Sequence, residues 1–453
     1  MVIQIRMKAN DSGDQVNSGA YAAMPAPKLP AWAENAVIYS VNTRQFTPQG
    51  TFSTFAEHLP RLKKLGVTVL WFLPIHPIGE KRRKGSLGSY YSIRDHYGIN
   101  PEFGTLQDFD ALVRAIHALD MAVIIDLVIN HTAWDHPLMT EHPEWYTYDK
   151  NGQIIVPQKE WNDVAQLNFE NQDLCHYMIR MMRHWIDDVG IDGFRCDVAE
   201  WVPNDFWCIA IAEMQKIKPV LMLAEGQHPS LHAHDFHISY ASDLYRLFNA
   251  IASGKRRVQE IDQLLERDEN RFPKGSHRLL FTSNHDQNSW HGSAIERLGD
   301  AAKAMALLTF TLPGTPLIYC GQEIGNRKRL LFFDKDEIQW RQNGYTEFYQ
   351  RLCRLHSSCP ALYKGEKHTI ESDRPDSIYA FQREYERQRI LVIANLTSAP
   401  VRATLFVKKH ADQGAMLRKA SGETTIALAA WGYKIYLAET DSGGEKYVEI
   451  LSG

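Results

Sequence analysis

No run of about 18 apolar residues occurs in the 453-residue chain, so a membrane-crossing helix is not expected. Basic residues are not in excess: 50 Lys and Arg face 54 Asp and Glu, a formal net charge of -4 that gives no footprint for nucleic acid. Cysteine is sparse. The six (Cys175, Cys196, Cys208, Cys320, Cys353 and Cys359) lack metal-ligand spacing, which predicts reduced thiols and a cytoplasmic protein. Residues 1–30 lack the apolar centre of a secretion signal and read as a loose polar tail. Against these absences, 44% hydrophobic residues are enough for a large core. The length suits a barrel of about 250 residues with a smaller companion domain.

Taken in order, the chain alternates buried strands and amphipathic helices. Strand candidates fall at Ala36 to Val41, Val67 to Leu73, Met121 to Ile129, Gly193 to Cys196, Val220 to Ala224, Phe236 to Tyr240, Arg278 to Ser283 and Pro316 to Tyr319. Helical spacing separates them, for example at Thr54 to Leu65, Leu106 to Leu119, Met178 to Val189 and Ala301 to Phe310. Repeated right-handed βα units of this kind close into a TIM (β/α)8 barrel, expected over residues 31–130 and 170–362. Residues 131–169 form an insertion too long for an ordinary βα loop, and its tryptophans and tyrosines predict order. From 363 to 453, short β-rich runs separated by turn residues predict a C-terminal antiparallel β-sandwich.

The chemistry is concentrated in the stretch Gly193-Phe-Arg-Cys-Asp-Val-Ala-Glu200. Alternation along a strand puts Arg195 and Asp197 on one side and Phe194 and Cys196 on the other. Arg195 would hold the Asp197 carboxyl ionised, as a nucleophile requires; a buried ion pair closing the barrel is the bland alternative. Asp126, Glu225 and Asp286 also follow barrel strands, where such folds carry their chemistry, although a lone carboxylate there is often only a helix cap. Several converging carboxylates suit glycosidic bond cleavage. Glu225, emerging from apolar Val220 to Ala224, suits the acid, and Asp197 the nucleophile with a lowered pKa.

These segments resemble the signature regions of the alpha-amylase family of glycoside hydrolases, family 13. Asp126-Leu-Val-Ile-Asn-His131, Gly193 to Asp197, Leu223-Ala-Glu225-Gly and Phe281 to Asp286 correspond to its four regions in order. Val164 to Asn168 and Tyr91 to Thr105 resemble two further segments. The resemblance implies Asp197 as nucleophile, Glu225 as acid/base and Asp286 as a third carboxylate gripping sugar hydroxyls. It implies that Tyr91, His131, Arg195 and His285 line the subsite where the bond breaks. Val198-Ala199-Glu200-Trp201 is closer to the cyclomaltodextrinase and neopullulanase branch than to many true amylases. Glu200 and Trp201 are expected on the leaving-group side, and Trp290 is a further candidate sugar platform; rim packing is the alternative for each. The implied activity is retaining hydrolysis of alpha-1,4-glucans such as starch or maltodextrins, with transglycosylation or a non-catalytic binding role as alternatives. No cofactor is required. Relatives often hold a structural calcium, for which Asn130 and Asp163 are the matching side chains; two are too few for a site, and turn-forming roles are the favoured reading.

Overall fold

In the computed structural model the described residues are 19–341, 343–406, 423–441 and 444–453, so most of the expected tail lies outside them. Its described end is tied down: Pro25 bridges to Lys274, and the Ala26 N–H donates to the Lys274 carbonyl.

Ten strands belong to the first part of the chain: β1 (Ile38–Val41), β2 (Val69–Phe72), β3 (Ala122–Leu127), β4 (His131–Ala133), β5 (Val164–Gln166), β6 (Gly193–Cys196), β7 (Leu221–Ala224), β8 (Ile238–Tyr240), β9 (His277–Leu280) and β10 (Thr315–Tyr319). Eight close into a parallel barrel in the order β1-β10-β9-β8-β7-β6-β3-β2, while β4 and β5 form a separate antiparallel pair inside the insertion. All eight expected barrel strands are present, with ends that differ from the expected ones by a few residues.

The period-2 pattern sorts the side chains. Ile38, Val69, Trp71, Ile124, Leu221, Leu223 and Leu317 fill the barrel interior. Their neighbours Tyr39, Leu70, Phe72, Ile125, Phe194, Cys196 and Met222 face the helix layer. Asp126 and Arg195 fall on interior positions of β3 and β6 and are direct cross-strand partners. The alternation read from Gly193 to Asp197 is therefore the one the barrel uses. Gly193 itself has φ +151°, and a Cβ there would collide with the Leu221 backbone, so β6 and β7 approach closely only because this residue is glycine.

The helix Leu106–His117 shows how local signals set the outer layer. A reciprocal capping box between Thr105 and Asp108 starts it, and Phe109, Leu112, Val113 and Ile116 bury one face. The helix expected from Met178 begins earlier, at Gln172, where the Asn171 side chain accepts from the backbone N–H groups of Asp173 and Leu174; its last turn, His184–Asp188, is π-helical.

Beyond residue 363 two antiparallel sheets make the C-terminal sandwich. One is β11 (Glu366–Thr369), β13 (Ile378–Tyr385), β14 (Gln388–Asn395), β17 (Tyr433–Asp441) and β18 (Gly444–Ser452); the other is β12 (Glu371–Ser372), β15 (Val401–Phe406) and β16 (Glu423–Leu428). Strands β11, β12 and β18 carry only weak apolar alternation. Asp262 of the barrel layer joins the two parts, pairing with Lys367 at 2.7 Å and accepting from the Tyr379 hydroxyl at 2.6 Å.

Candidate active site

The site is organised around one buried guanidinium. Arg195 is fully buried, and its Nη1 donates to Asp126 Oδ1 at 2.7 Å and to Asp197 Oδ1 at 2.8 Å. Nη2 lies 2.8 Å from Glu225 Oε1 in an ionic contact outside hydrogen-bond geometry. Nε donates to the Tyr240 hydroxyl at 3.2 Å, and the guanidinium carbon sits 5.2 Å from the centre of the Trp71 ring. Asp126 is held from its other oxygen by Trp71 Nε1 and the Tyr91 hydroxyl, both at 3.1 Å.

Three carboxylates therefore share one cation in a largely enclosed region. If all were ionised the cluster would carry an excess of buried negative charge, which is costly. Burial pushes the Glu225 carboxyl up to about 7, opposed by Arg195 and assisted by repulsion from Asp197 and Asp286. Burial likewise raises Asp126 against the pull of Arg195. For Asp197 burial is again the larger influence, with Arg195 opposing it, so its pKa lies above the ordinary aspartate value. That corrects the expectation of a lowered pKa: Arg195 does favour the carboxylate, but the depth of enclosure outweighs it.

The turn after β6 is strained. Val198 adopts φ 38° and ψ 47°, a left-handed conformation that a β-branched residue rarely takes, and its N–H donates to Glu225 Oε2 at 2.9 Å. The strain aims a backbone donor at the Glu225 carboxyl from the residue next to Asp197. Glu200 holds the same turn by accepting from the backbone N–H of His228 at 2.6 Å and from that of Gln227.

Two cavities meet at this cluster. The larger, about 480 Å³, is lined by Asp197, Glu225 and Asp286 together with Tyr91, His131 and His285. The smaller, about 300 Å³, shares Glu225 and Asp286 but not Asp197, and is lined by Glu200, Trp201 and Gln287. The Tyr91 ring stacks on His285 with centroids 5.5 Å apart, and its hydroxyl lies 2.7 Å from His285 Nε2. His131 Nε2 is 3.2 Å from the Tyr91 carbonyl oxygen, and burial lowers the His131 pKa to about 4, leaving a neutral ring at neutral pH. Burial also lowers His285, so its 3.5 Å approach to Asp286 is a neutral contact near pH 7.

Of the residues expected at the cleaved bond, Asp197, Glu225, Asp286, Tyr91, His131 and His285 line these two cavities, whereas Arg195 lies fully buried behind the carboxylates and lines neither. Trp201 is 40% exposed in the smaller cavity with its ring 5.4 Å from Trp161, and Trp290 is 50% exposed on the rim of the larger one. Sequence reasoning missed Trp71 and Tyr240, interior aromatics that read as core, and it missed Lys84, Phe332 and Phe333, which lie on loops without periodicity.

Asn130 and Asp163, the expected calcium ligands, are each engaged by another side chain. The Asn130 side-chain oxygen accepts from Gln166 Nε2 at 3.0 Å, whereas Asp163 Oδ1 pairs with Lys84 Nζ at 2.7 Å. Calcium requires about 6–8 oxygens; here the Asn130 side-chain oxygen is engaged by an amide and Asp163 Oδ1 by an ammonium. Among the described residues no group of three or more His, Cys, Asp or Glu could hold a metal.

The alpha-amylase catalytic domain profile matches residues 10–352. The chain is 28% identical over 417 residues to alpha-amylase MalA of Haloarcula japonica, covering 87% of this chain but 60% of that protein. It is 31% identical over 436 residues to the alpha-1,4-glucan:maltose-1-phosphate maltosyltransferase of Mycobacterium tuberculosis, covering 86% of this chain and again 60% of the relative. Among solved structures, a noncanonic maltogenic alpha-amylase from Thermotoga neapolitana superposes with TM-score 0.79 at 29% identity, over 93% of this chain and 98% of that one. An alpha-amylase from Lactobacillus plantarum gives TM-score 0.80 at 30% identity, over 90% and 99% respectively.

Proposed function

Because the chain belongs to the alpha-amylase family of glycoside hydrolases, we propose that it cleaves alpha-1,4-glucosidic bonds of starch, maltodextrins or related glucans with retention of configuration. The observation that carries this reading is the placement of Asp197 and Glu225 on adjacent nitrogens of one guanidinium. Retaining enzymes keep their two carboxyls about 5–5.5 Å apart, whereas inverting ones leave room for water between them.

The sides of the cleft follow from the chemistry. The nucleophile contacts the sugar whose anomeric carbon is attacked, and the acid protonates the bridging oxygen. The larger cavity, which contains Asp197, holds the glycone; the smaller one, which contains Glu225 without Asp197, holds the leaving group. Glu225, protonated up to about pH 7, donates to the departing oxygen. The Asp197 carboxylate closes on the anomeric carbon to form a glycosyl ester. Glu225, now ionised, takes a proton from water, and the water opens the ester from the opposite face. Arg195 balances the charge of Asp197 throughout, and Asp286, open to both cavities, is placed to hold sugar hydroxyls.

A sugar acceptor in place of water is the second reading, favoured by the Trp161 and Trp201 rings at 5.4 Å beside the leaving-group cavity. Apolar sugar faces bury well on such rings. The maltosyltransferase relatives are named for a sugar phosphate. No lysine or arginine lines the leaving-group cavity here among the described residues, and Glu200 does, so a neutral sugar fits it better than a phosphate. We further propose that the chain needs no structural calcium and works in the cytoplasm; the engaged oxygens of Asn130 and Asp163 support the former, and six unpaired cysteines, five of them buried, support the latter. Among the described residues no helix is long and apolar enough to cross a membrane. NMR of the first products from maltoheptaose tests the central reading: the alpha anomer is expected, and early beta anomer would overturn retention.

A further inference from the structure

The glycone cavity is enclosed on the side away from the scissile bond by a chain of contacts joining four loops. Lys84, on the loop after β2, pairs with Asp163 of the insertion at 2.7 Å and donates to the Glu160 carbonyl at 2.6 Å. Its Nζ also lies 5.9 Å from the Phe333 ring, on the loop after β10. Phe333 meets Trp290, after β9, with centroids 5.7 Å apart, and Phe332 lies between Trp290 at 5.2 Å and Tyr91 at 6.3 Å, parallel to the latter within 17°.

This fence is held from behind. The Leu87 N–H donates to the Phe333 carbonyl at 2.9 Å, the Ser86 N–H to Asp334 Oδ1 at 2.7 Å, and Gln45 Nε2 to the Leu331 carbonyl at 2.7 Å. Ser289 Oγ donates to the Leu330 carbonyl at 2.8 Å. Gly85, at φ +61°, sits so close that a Cβ would lie 2.5 Å from Phe333 Cβ. The loops after β2 and β10 therefore pack closely at Gly85 and Phe333. A glucan continuing beyond the glycone cavity on this side would meet Lys84 and Phe333. The leaving-group cavity is also tied across loops, Glu200 accepting from the His228 N–H at 2.6 Å and Trp201 lying 5.4 Å from Trp161, but Trp201 stands exposed at its mouth.

We propose that Lys84, Phe332, Phe333 and Trp290 make this an end-acting enzyme, which takes the non-reducing ends of alpha-1,4-glucans and releases mono- or disaccharides instead of cutting within chains. The inference rests on the reading of the chain as an alpha-glucan hydrolase and deepens it by assigning the mode of attack. The covalent steps are those already given; only which bond of the chain reaches Asp197 is at issue.

The test uses maltoheptaose carrying a fluorophore at its reducing end, with the non-reducing end either free or blocked as the 4,6-O-ethylidene acetal. Products are sized at early conversion. The free form should lose one or two sugars at a time from the unlabelled end. The blocked form should be cut at least about 100-fold more slowly, since a clash rejects a ligand more strongly than a lost contact does. Lys84→Ala and Phe333→Ala should each raise the blocked-to-free rate ratio about tenfold, about 1.4 kcal/mol of relieved exclusion. The ratio is independent of how much of a variant folds. Equal rates on both substrates with mid-chain products, or an unchanged ratio in both variants, overturn the fence while leaving the hydrolase reading intact. No cleavage of either substrate removes the hydrolase reading and the fence with it.

Discussion

The two sides of the cleft are lined by different groups. The glycone side is roofed by loops tied to one another through the Lys84–Asp163 ion pair and the Phe332, Phe333 and Trp290 rings. The leaving-group side is walled by Glu200, Trp201 and Gln287, with Trp201 exposed at its mouth. One side contains Asp197, proposed as the nucleophile, and the other does not, while Glu225, proposed as the acid, lines both. A sugar that must be distorted and held through a covalent intermediate gains from enclosure. A sugar that must depart, and be replaced by water or an acceptor, gains from access.

Replacing the nucleophile tests this division hardest. Asp197→Asn should lower kcat by on the order of 10⁴-fold or more, because the covalent route is lost while the substrate contacts remain. Since Asp197 lines only the glycone cavity, a maltosyl fluoride should be processed no better than maltoheptaose by that variant, as measured by fluoride release.

Glu225 belongs to both sides, and its loss should look different. Glu225→Gln should cost about 10²–10⁴-fold on maltoheptaose but much less in glycosylation by a glycosyl fluoride, whose leaving group needs no proton. In the unmodified enzyme kcat/KM should fall as pH rises through about 7, where Glu225 loses its proton. On the acid side activity should fall as Asp197 becomes protonated, and because burial raises that pKa the limb should lie above the ordinary aspartate range. Glu225→Gln should remove the alkaline limb with the fluoride as substrate; a limb surviving unchanged would show that another group sets it.

How much of this is legible in the sequence divides along the same physical line. Alternation along a strand has a fixed period of two, so the spacing of Arg195 and Asp197 alone assigns them a common face. The barrel, the insertion and the C-terminal sandwich follow from periodicity and segment length in the same way. The fence is invisible to such reasoning because Lys84 and Phe333 are 249 positions apart on loops with no repeat, and their meeting depends on where the barrel places those loops. Trp71 and Tyr240 are hidden for another reason: an aromatic on a barrel-facing position reads as core whether or not its polar atom meets Arg195 or Asp126. The direction of the Asp197 shift is misjudged because sequence shows the neighbouring arginine but not the depth of burial.

Aromatic truncations should separate the two sides with smaller effects. Trp201→Ala should weaken acceptor sugars, lowering the ratio of transfer to hydrolysis at high maltose, while Trp290→Ala should raise KM for the chain end being bound. Each change forfeits on the order of 1–2 kcal/mol of apolar contact at about 25 cal/mol per Å², about a five- to thirtyfold change in initial-rate kinetics. An effect of Trp201→Ala confined to glycone binding would reverse the assignment of the cavities.

The smallest expected effect is none at all. Chelation should leave the thermal midpoint unchanged, because Lys84 and Gln166 already engage the oxygens that calcium would need. A bound ion would stabilise only the folded state, so a drop in the midpoint restored by added calcium would show a site there after all.

The most direct test of the account is to trap the intermediate. A fluorinated maltosyl fluoride that forms the glycosyl ester but hydrolyses slowly, followed by proteolysis and mass spectrometry, should place one sugar adduct on the peptide containing Asp197, at that residue. An adduct on Glu225 or Asp286, or complete turnover of the substrate with inverted product and no adduct, would contradict the assignment of Asp197 as nucleophile.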